Sequence, residues 1–112
     1  MGRRVAKQSS RYAVGMPHLN YSERARKDLV RLFDFLAEKD QQLAVRAMRE
    51  IRDAFAPLRH MPKMGRPVEG GLREWVIPFG SSGYIALYDF DEAQDALVVP
   101  ALRHQLERDY KS

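Results

Sequence analysis

The sequence predicts an α+β fold: an N-terminal strand and an antiparallel helical hairpin packed on a small antiparallel β-sheet. Three observations predict it. Two stretches of helical periodicity adjoin one another in the first half of the chain. In the second half, a glycine-serine turn separates two runs rich in aromatic and β-branched residues. Helices come first and strands after them, so the strands are expected to pair in order as a meander.

Each element has its own signal. His18 to Tyr21 reads as a short opening strand that ends at Ser22, a good helix N-cap with Glu23 behind it. Ala25, Leu29, Leu32, Phe33 and Leu36 then recur at helical spacing. "EKD" breaks that pattern and offers Asp40 as the cap of a second helix, whose stripe is Ala44, Ala47, Met48, Ile51, Phe55 and Leu58. Pro57 is expected to end or kink it. So short a loop makes the pair a hairpin, and each apolar stripe needs a further surface to cover.

"MPKMGRPVEGG" carries two prolines and three glycines and reads as a loop. "LREWVIPF", "GSSG" and "YIALYDF" form a β-hairpin, with Trp75, Ile77 and Phe79 on one face by alternation. Pro78 and Pro100 cannot donate to a ladder and belong at an edge, a bulge or a strand end. "DEAQD" makes the next turn and "ALVVPAL" the last strand.

Composition excludes several classes of function. At 112 residues, 45% hydrophobic and 30% charged, the chain fits one soluble domain. It has no apolar stretch of membrane-spanning length and no signal-peptide pattern. The absence of cysteine rules out disulfides and thiolate metal sites, and fits a cytoplasmic protein. The three histidines lack ligand spacing, so no metal and no cofactor are expected. Neither a Gly-rich phosphate loop nor a G-x-S-x-G motif is present.

The net charge of +4 is a property of one end. Arg3, Arg4, Lys7 and Arg11 stand in the first sixteen residues with no acid, leaving fifteen basic and fifteen acidic residues from Pro17 onward. Residues 1–15 are therefore expected to be a disordered or loosely attached basic tail, from an upstream start or added sequence, with the domain spanning residues 16–112. Within the body, Arg46 to Arg73 is predominantly basic, whereas Asp89, Asp91, Glu92 and Asp95 form a purely acidic stretch. Such a dipolar surface is a poor phosphate-tracking one.

In order and spacing, "YSERARKDLVRLFDFL", "IRDAFAPLRHMPKMGRPV", "LREWVIPFGSSGYIALYDFD" and "VVPALRHQLERDY" resemble the toxins of the RelE/ParE superfamily from bacterial type II toxin–antitoxin modules. The likeness runs from about Pro17 to Tyr110. It implies a cognate antitoxin that wraps the toxin in a hetero-oligomer and alone contacts operator DNA. It also implies one of two targets: DNA gyrase for ParE-like members, or messenger RNA on the ribosome for RelE-like ones, which cut it without a metal. A non-toxic co-repressor partner of the antitoxin is a third possibility. An antitoxin segment is expected to fill the groove between the helical hairpin and the sheet edge.

Cleavage of RNA through its 2′-hydroxyl needs a base, an acid and cations on the developing phosphorane. By resemblance to RelE-like toxins, Arg73, Arg103 and Tyr110 hold the comparable positions, and His104 is a further acid or base because imidazole titrates near neutrality. Against this set stand Glu74 and Glu107, which would repel a phosphate, and a loop that offers only Lys63 and Arg66. The departures favour the ParE-like branch. Lys63, Arg66 and Trp75 are expected contacts for target or antitoxin. Structural roles compete: Arg73 in an ion pair, Arg66 tying down its loop, and Trp75, Tyr84 and Tyr88 packing the sheet.

Overall fold

The computed structural model describes residues 17–111; the expected basic tail of residues 1–15 lies outside the described residues. The order is β1 (His18–Tyr21), α1 (Glu23–Ala37), α2 (Gln41–Asp53), α3 (Ala56–His60), β2 (Arg66–Pro67), β3 (Arg73–Phe79), β4 (Ser82–Asp91) and β5 (Ala96–His104). The sheet runs β1-β5-β4-β3-β2, with the helices on one face. Among the described residues no helix is long and apolar enough to cross a membrane.

The helix starts follow from their caps. The Ser22 Oγ accepts from the Ala25 N–H at 3.0 Å, and Asp40 accepts from Gln42 and Leu43 at 3.0 and 3.2 Å. The second stripe does not stay on one continuous helix. Pro57 has no N–H, and its ring would strike the Asp53 carbonyl, so α2 stops at Asp53 and a short α3 restarts at Ala56.

The hairpin turns on two residues, Gly80 and Ser81, since Phe79 pairs with Ser82. Gly80 has φ 62°, and a positive φ at the first turn position matches the right-handed strand twist. Strand β1 departs from the meander: it runs parallel to β5, from His18 opposite Ala96 to Tyr21 opposite Val99. A parallel neighbour needs a long crossover, and here the helices and three strands supply it. Where the sequence suggests loop, Arg66 and Pro67 pair with Glu74 and Arg73 as β2, an edge position that tolerates a proline.

Between Leu87 and Asp89 the register with β5 shifts, so that Val99 and Pro100 lie opposite Tyr88 alone. Pro100 thus marks the bulge at the point where β1 ends. The core between sheet and helices holds Ala25, Leu32, Ala47, Ile51, Phe55, Leu58, Ile77, Tyr84, Ala86, Tyr88, Leu97, Val99 and Leu102. Tyr84 and Tyr88 are buried packing residues of that layer.

Candidate functional site on the open sheet face

Cross-strand partners share a face, which assigns the site residues that lie in strands to one side of the sheet or the other. Arg73 lies opposite Tyr88, Trp75 opposite Ala86 and Ile77 opposite Tyr84, so these belong to the helix-covered face. Tyr84 lies opposite His104, which adds His104 to that face. Glu74 opposite Leu87, Val76 opposite Ile85, and Ile85 opposite Arg103 define the open face. Arg73 and Arg103 are therefore on opposite sides of the sheet.

On the covered face the polar groups hold backbone. The Arg73 guanidinium donates to the Gly65 carbonyl at 2.8 Å. The Tyr88 hydroxyl accepts from the Gly65 N–H at 2.8 Å and donates to the Pro62 carbonyl at 2.7 Å. A Cβ on Gly65 would stand 2.5 Å from the Tyr88 ring and 2.8 Å from the Glu74 carbonyl, so only glycine lets the loop this close. The Trp75 indole donates at 2.8 Å to the Ala54 carbonyl, in the break between α2 and α3 before Pro57. The Leu106 N–H donates to Nδ1 of His104 at 3.0 Å, so the neutral ring carries its proton on Nε2, 3.1 Å from the Ser82 Oγ. Both ring nitrogens are engaged.

On the open face Glu74 and Tyr110 link the polar side chains to one another, and the segment after β5 lies over them. The Tyr110 hydroxyl donates to Glu74 at 2.9 Å, and Arg66 makes an ion pair with the same carboxylate. The Arg103 guanidinium carbon sits 5.1 Å from the centre of the Tyr110 ring, in cation–π range. Arg103 also donates to the Glu107 carbonyl of the turn after β5, and its Nε is buried without a partner. Burial first, and then the bond to and charge of Glu74, outweigh Arg103 and push the Tyr110 phenol up. The phenol therefore keeps its proton and serves as a donor.

One buried carboxylate escapes the sequence reading. Asp28 is 2% exposed on α1. Its Oδ2 accepts from the Leu102 N–H at 2.9 Å and its Oδ1 pairs with Arg31 at 2.6 Å. β1 ends opposite Val99, so the β5 edge beyond it needs an acceptor from elsewhere, and Asp28 supplies one. Ser22 completes the join by donating from its Oγ to the Pro100 carbonyl at 3.0 Å. Arg31 reaches on to Glu107 at 3.0 Å, whose Oε1 also accepts from the His104 N–H at 2.9 Å. The sequence carried a signal for Asp28: it stands three residues after Ala25 and four before Leu32, inside the apolar stripe of α1.

The sequence-derived candidates are thus divided. Arg103, Tyr110 and Arg66 gather with Glu74 on the open face, while Arg73, His104 and Trp75 belong to the covered one. Lys63 lies apart, 3.5 Å from Glu92 at an exposed corner.

Comparison with known proteins agrees with this architecture. Residues 19–109 match the family model described as the ParE toxin of the type II toxin–antitoxin system, parDE. The chain is 32% identical over 93 residues to Toxin RelE3 of Caulobacter vibrioides, covering 83% of this chain and 99% of that one. It is 39% identical over 67 residues to Toxin RelE1 of the same organism, covering 60% and 72%. Among solved structures, a chain of the chromosomal ParDE system of P. aeruginosa superposes with a TM-score of 0.65 at 19% identity, covering 80% and 97%. A chain of the RelBE2 toxin–antitoxin complex of Mycobacterium tuberculosis gives 0.52 at 20% identity, covering 80% and 98%. The chain belongs to the ParE toxin family of type II toxin–antitoxin systems, within the RelE/ParE superfamily.

Proposed function

We propose that this toxin is neutralised by a cognate antitoxin and acts by binding a protein target, DNA gyrase, without cutting RNA. The carrying observation is the state of the candidate nuclease residues. Arg73 is across the sheet from Arg103, Arg103 is stacked and bonded to its own turn, and the Tyr110 proton is committed to Glu74. A 2′-hydroxyl would find no free base there, because the Tyr110 hydroxyl donates to Glu74, that carboxylate is paired with Arg66, and both ring nitrogens of His104 are engaged. The neutral body points the same way, because ribosome binding rewards strongly basic surfaces. The two matched solved structures are of toxin–antitoxin systems, which supports an antitoxin partner. Val30 and Phe35 on α1 and Val45 on α2 are exposed apolar side chains that an antitoxin segment could bury.

The second reading, a metal-independent ribosome-dependent endoribonuclease, is favoured by the two relatives named RelE and by the adjacency of Arg103 and Tyr110. One experiment separates them. Purified toxin is titrated into a gyrase supercoiling assay, and the Arg103→Ala/Tyr110→Phe variant is compared with it for growth arrest and message cleavage. The gyrase reading expects loss of supercoiling and a variant that still arrests growth. Unaffected supercoiling at saturating toxin, together with a variant that loses both arrest and message cleavage, would install the nuclease reading instead.

A further inference from the structure

The sheet has two edges, and they are protected differently. At one of them β2 covers β3 only at Arg73 and Glu74, and β2 itself consists of Arg66 and Pro67. Phe79 and Ser82 close the two-residue turn, so Phe79, Ile77 and Trp75 bond toward β4. Val76 and Pro78 then turn their backbone outward, and Pro78 has no N–H to offer there. Charge, proline and a short strand all guard a sheet edge against further pairing.

β1 has no such guard beyond its length. It reads His-Leu-Asn-Tyr, without lysine, arginine, acid or proline. The His18 N–H donates to the Asp95 carbonyl at 2.9 Å, and the Ser22 N–H to the Val99 carbonyl at 3.0 Å. A parallel ladder engages alternate residues, so His18, Asn20 and Ser22 turn their backbone toward β5. The N–H and C=O groups of Leu19 and Tyr21 therefore face outward, where no strand of the described residues pairs with them. The Leu19 and Tyr21 side chains pack against the core, while His18 and Asn20 are exposed.

We propose that two copies of the chain meet at this edge, β1 against β1, antiparallel about Asn20. The outward groups are self-complementary. With Asn20 opposite the partner's Asn20, Leu19 exchanges both backbone bonds with the partner's Tyr21, and Tyr21 with the partner's Leu19. Every outward N–H and C=O of the two strands is then satisfied. The same pairing sets Leu19 beside the partner's Tyr21 on the helix-covered side, a cross-strand contact made twice. A two-fold axis perpendicular to the sheet keeps both helical layers on one side and closes the assembly at two copies. So short a strand pair falls below the roughly 1,000 Å² of a lasting interface. Arg52 and Arg59 act on the Tyr21 phenol from the helix side, and only Arg52 has an acid, Asp53, paired with it. Like charge thus meets like across the axis, and the dimer is a weak one, on the order of 0.1 mM.

The test uses the full chain and the one position that faces itself. In this pairing Asn20 and the partner's Asn20 form a non-hydrogen-bonded pair with Cα atoms about 4.5 Å apart, where like charges repel and opposite charges attract. Because Asn20 is exposed, a charge there leaves the fold of each copy intact. Sedimentation equilibrium should show the parent passing from one copy to two between about 0.01 and 1 mM. Asn20→Lys and Asn20→Glu should each weaken association by about fivefold or more. An equimolar mixture of the two variants should regain at least the strength of the parent, since Lys then faces Glu. A parent that stays single at about 1 mM overturns the proposal. So do variants that associate as the parent does, which would place the contact elsewhere on the surface, or a mixture no stronger than either variant alone.

Discussion

On the helix-covered face of the sheet, most polar side chains hold backbone groups; on the open face Glu74 gathers Arg66 and Tyr110 side chain to side chain, and Arg103 joins Tyr110 while also holding its own turn. Arg73, Trp75, Tyr88 and Asp28 each reach a carbonyl or N–H in a loop, a helix break or a strand edge. Glu74, Arg66, Tyr110 and Arg103 form a chain of side-chain contacts under the C-terminal segment. The two kinds of bonding fail differently. A buried backbone group that loses its partner keeps its desolvation cost, whereas a half-exposed side chain that loses one can turn to water. The covered face is thus built for stability, and the open face is where polar groups can be re-paired by a partner.

The sharpest way to break this comparison is at Asp28. Asp28→Ala strands the buried Leu102 N–H and one side of Arg31, and should destabilise the fold by about 2–4 kcal/mol. The figure is kept below a fully buried pair because Arg31 is 32% exposed and retains Glu107. Asp28→Asn, which can still offer a carbonyl oxygen to Leu102, should cost roughly half as much. Urea denaturation of the three proteins checks this, and equal losses for both substitutions would show that the ion pair with Arg31 carries the effect.

Next comes Gly65, which lies between the faces. Gly65→Ala drives a methyl group against the Tyr88 ring on one side and the Glu74 carbonyl on the other. Overpacking of this kind should cost about 1–3 kcal/mol. Because Arg66 follows directly, the same shift should loosen its pair with Glu74. Thermal unfolding reads the first effect. A Tyr110 phenol that titrates at still higher pH reads the second, since a Glu74 carboxylate released by Arg66 holds that proton more tightly. An unchanged melting temperature would show that the loop can move away without loss.

These residues also show how much of the molecule the sequence discloses. The helix caps at Ser22 and Asp40, the Gly80 turn, the Pro57 break and the Pro100 bulge rest on local chemistry, and each stands where its residue type requires. The pairing of β1 with β5 and the two-residue β2 rest on contacts between distant segments, which no local pattern encodes. The candidate site was legible in part for the same reason. Alternation assigns Arg73 and Glu74 to opposite faces, but the side of the sheet that receives Tyr110 depends on how the turn after β5 is bonded. Glu74 and Glu107 look repulsive in the sequence; in the fold, Arg66 and Arg31 neutralise them.

The smallest expected effect lies at that C-terminal turn, and it depends on pH. Partial burial tends to raise the Glu107 carboxyl, but the His104 N–H, Arg31 and Lys111 outweigh it and hold it below its ordinary value of 4.5. A carboxyl depressed by folding stabilises the native state above its unfolded pKa. That contribution is lost as the pH falls through the lower, folded value. Wild type should therefore be more stable than Glu107→Gln near neutrality, and the gap should start to close only below pH 4.5. Because Glu107 bridges α1 to the turn that holds Arg103, the acid-induced loss should loosen the open face before it reaches the covered one. Hydrogen exchange followed as the pH falls below 4.5 should show residues 105–111 losing protection ahead of β5. Simultaneous loss in both would mean that the C-terminal segment and the sheet open as a single unit.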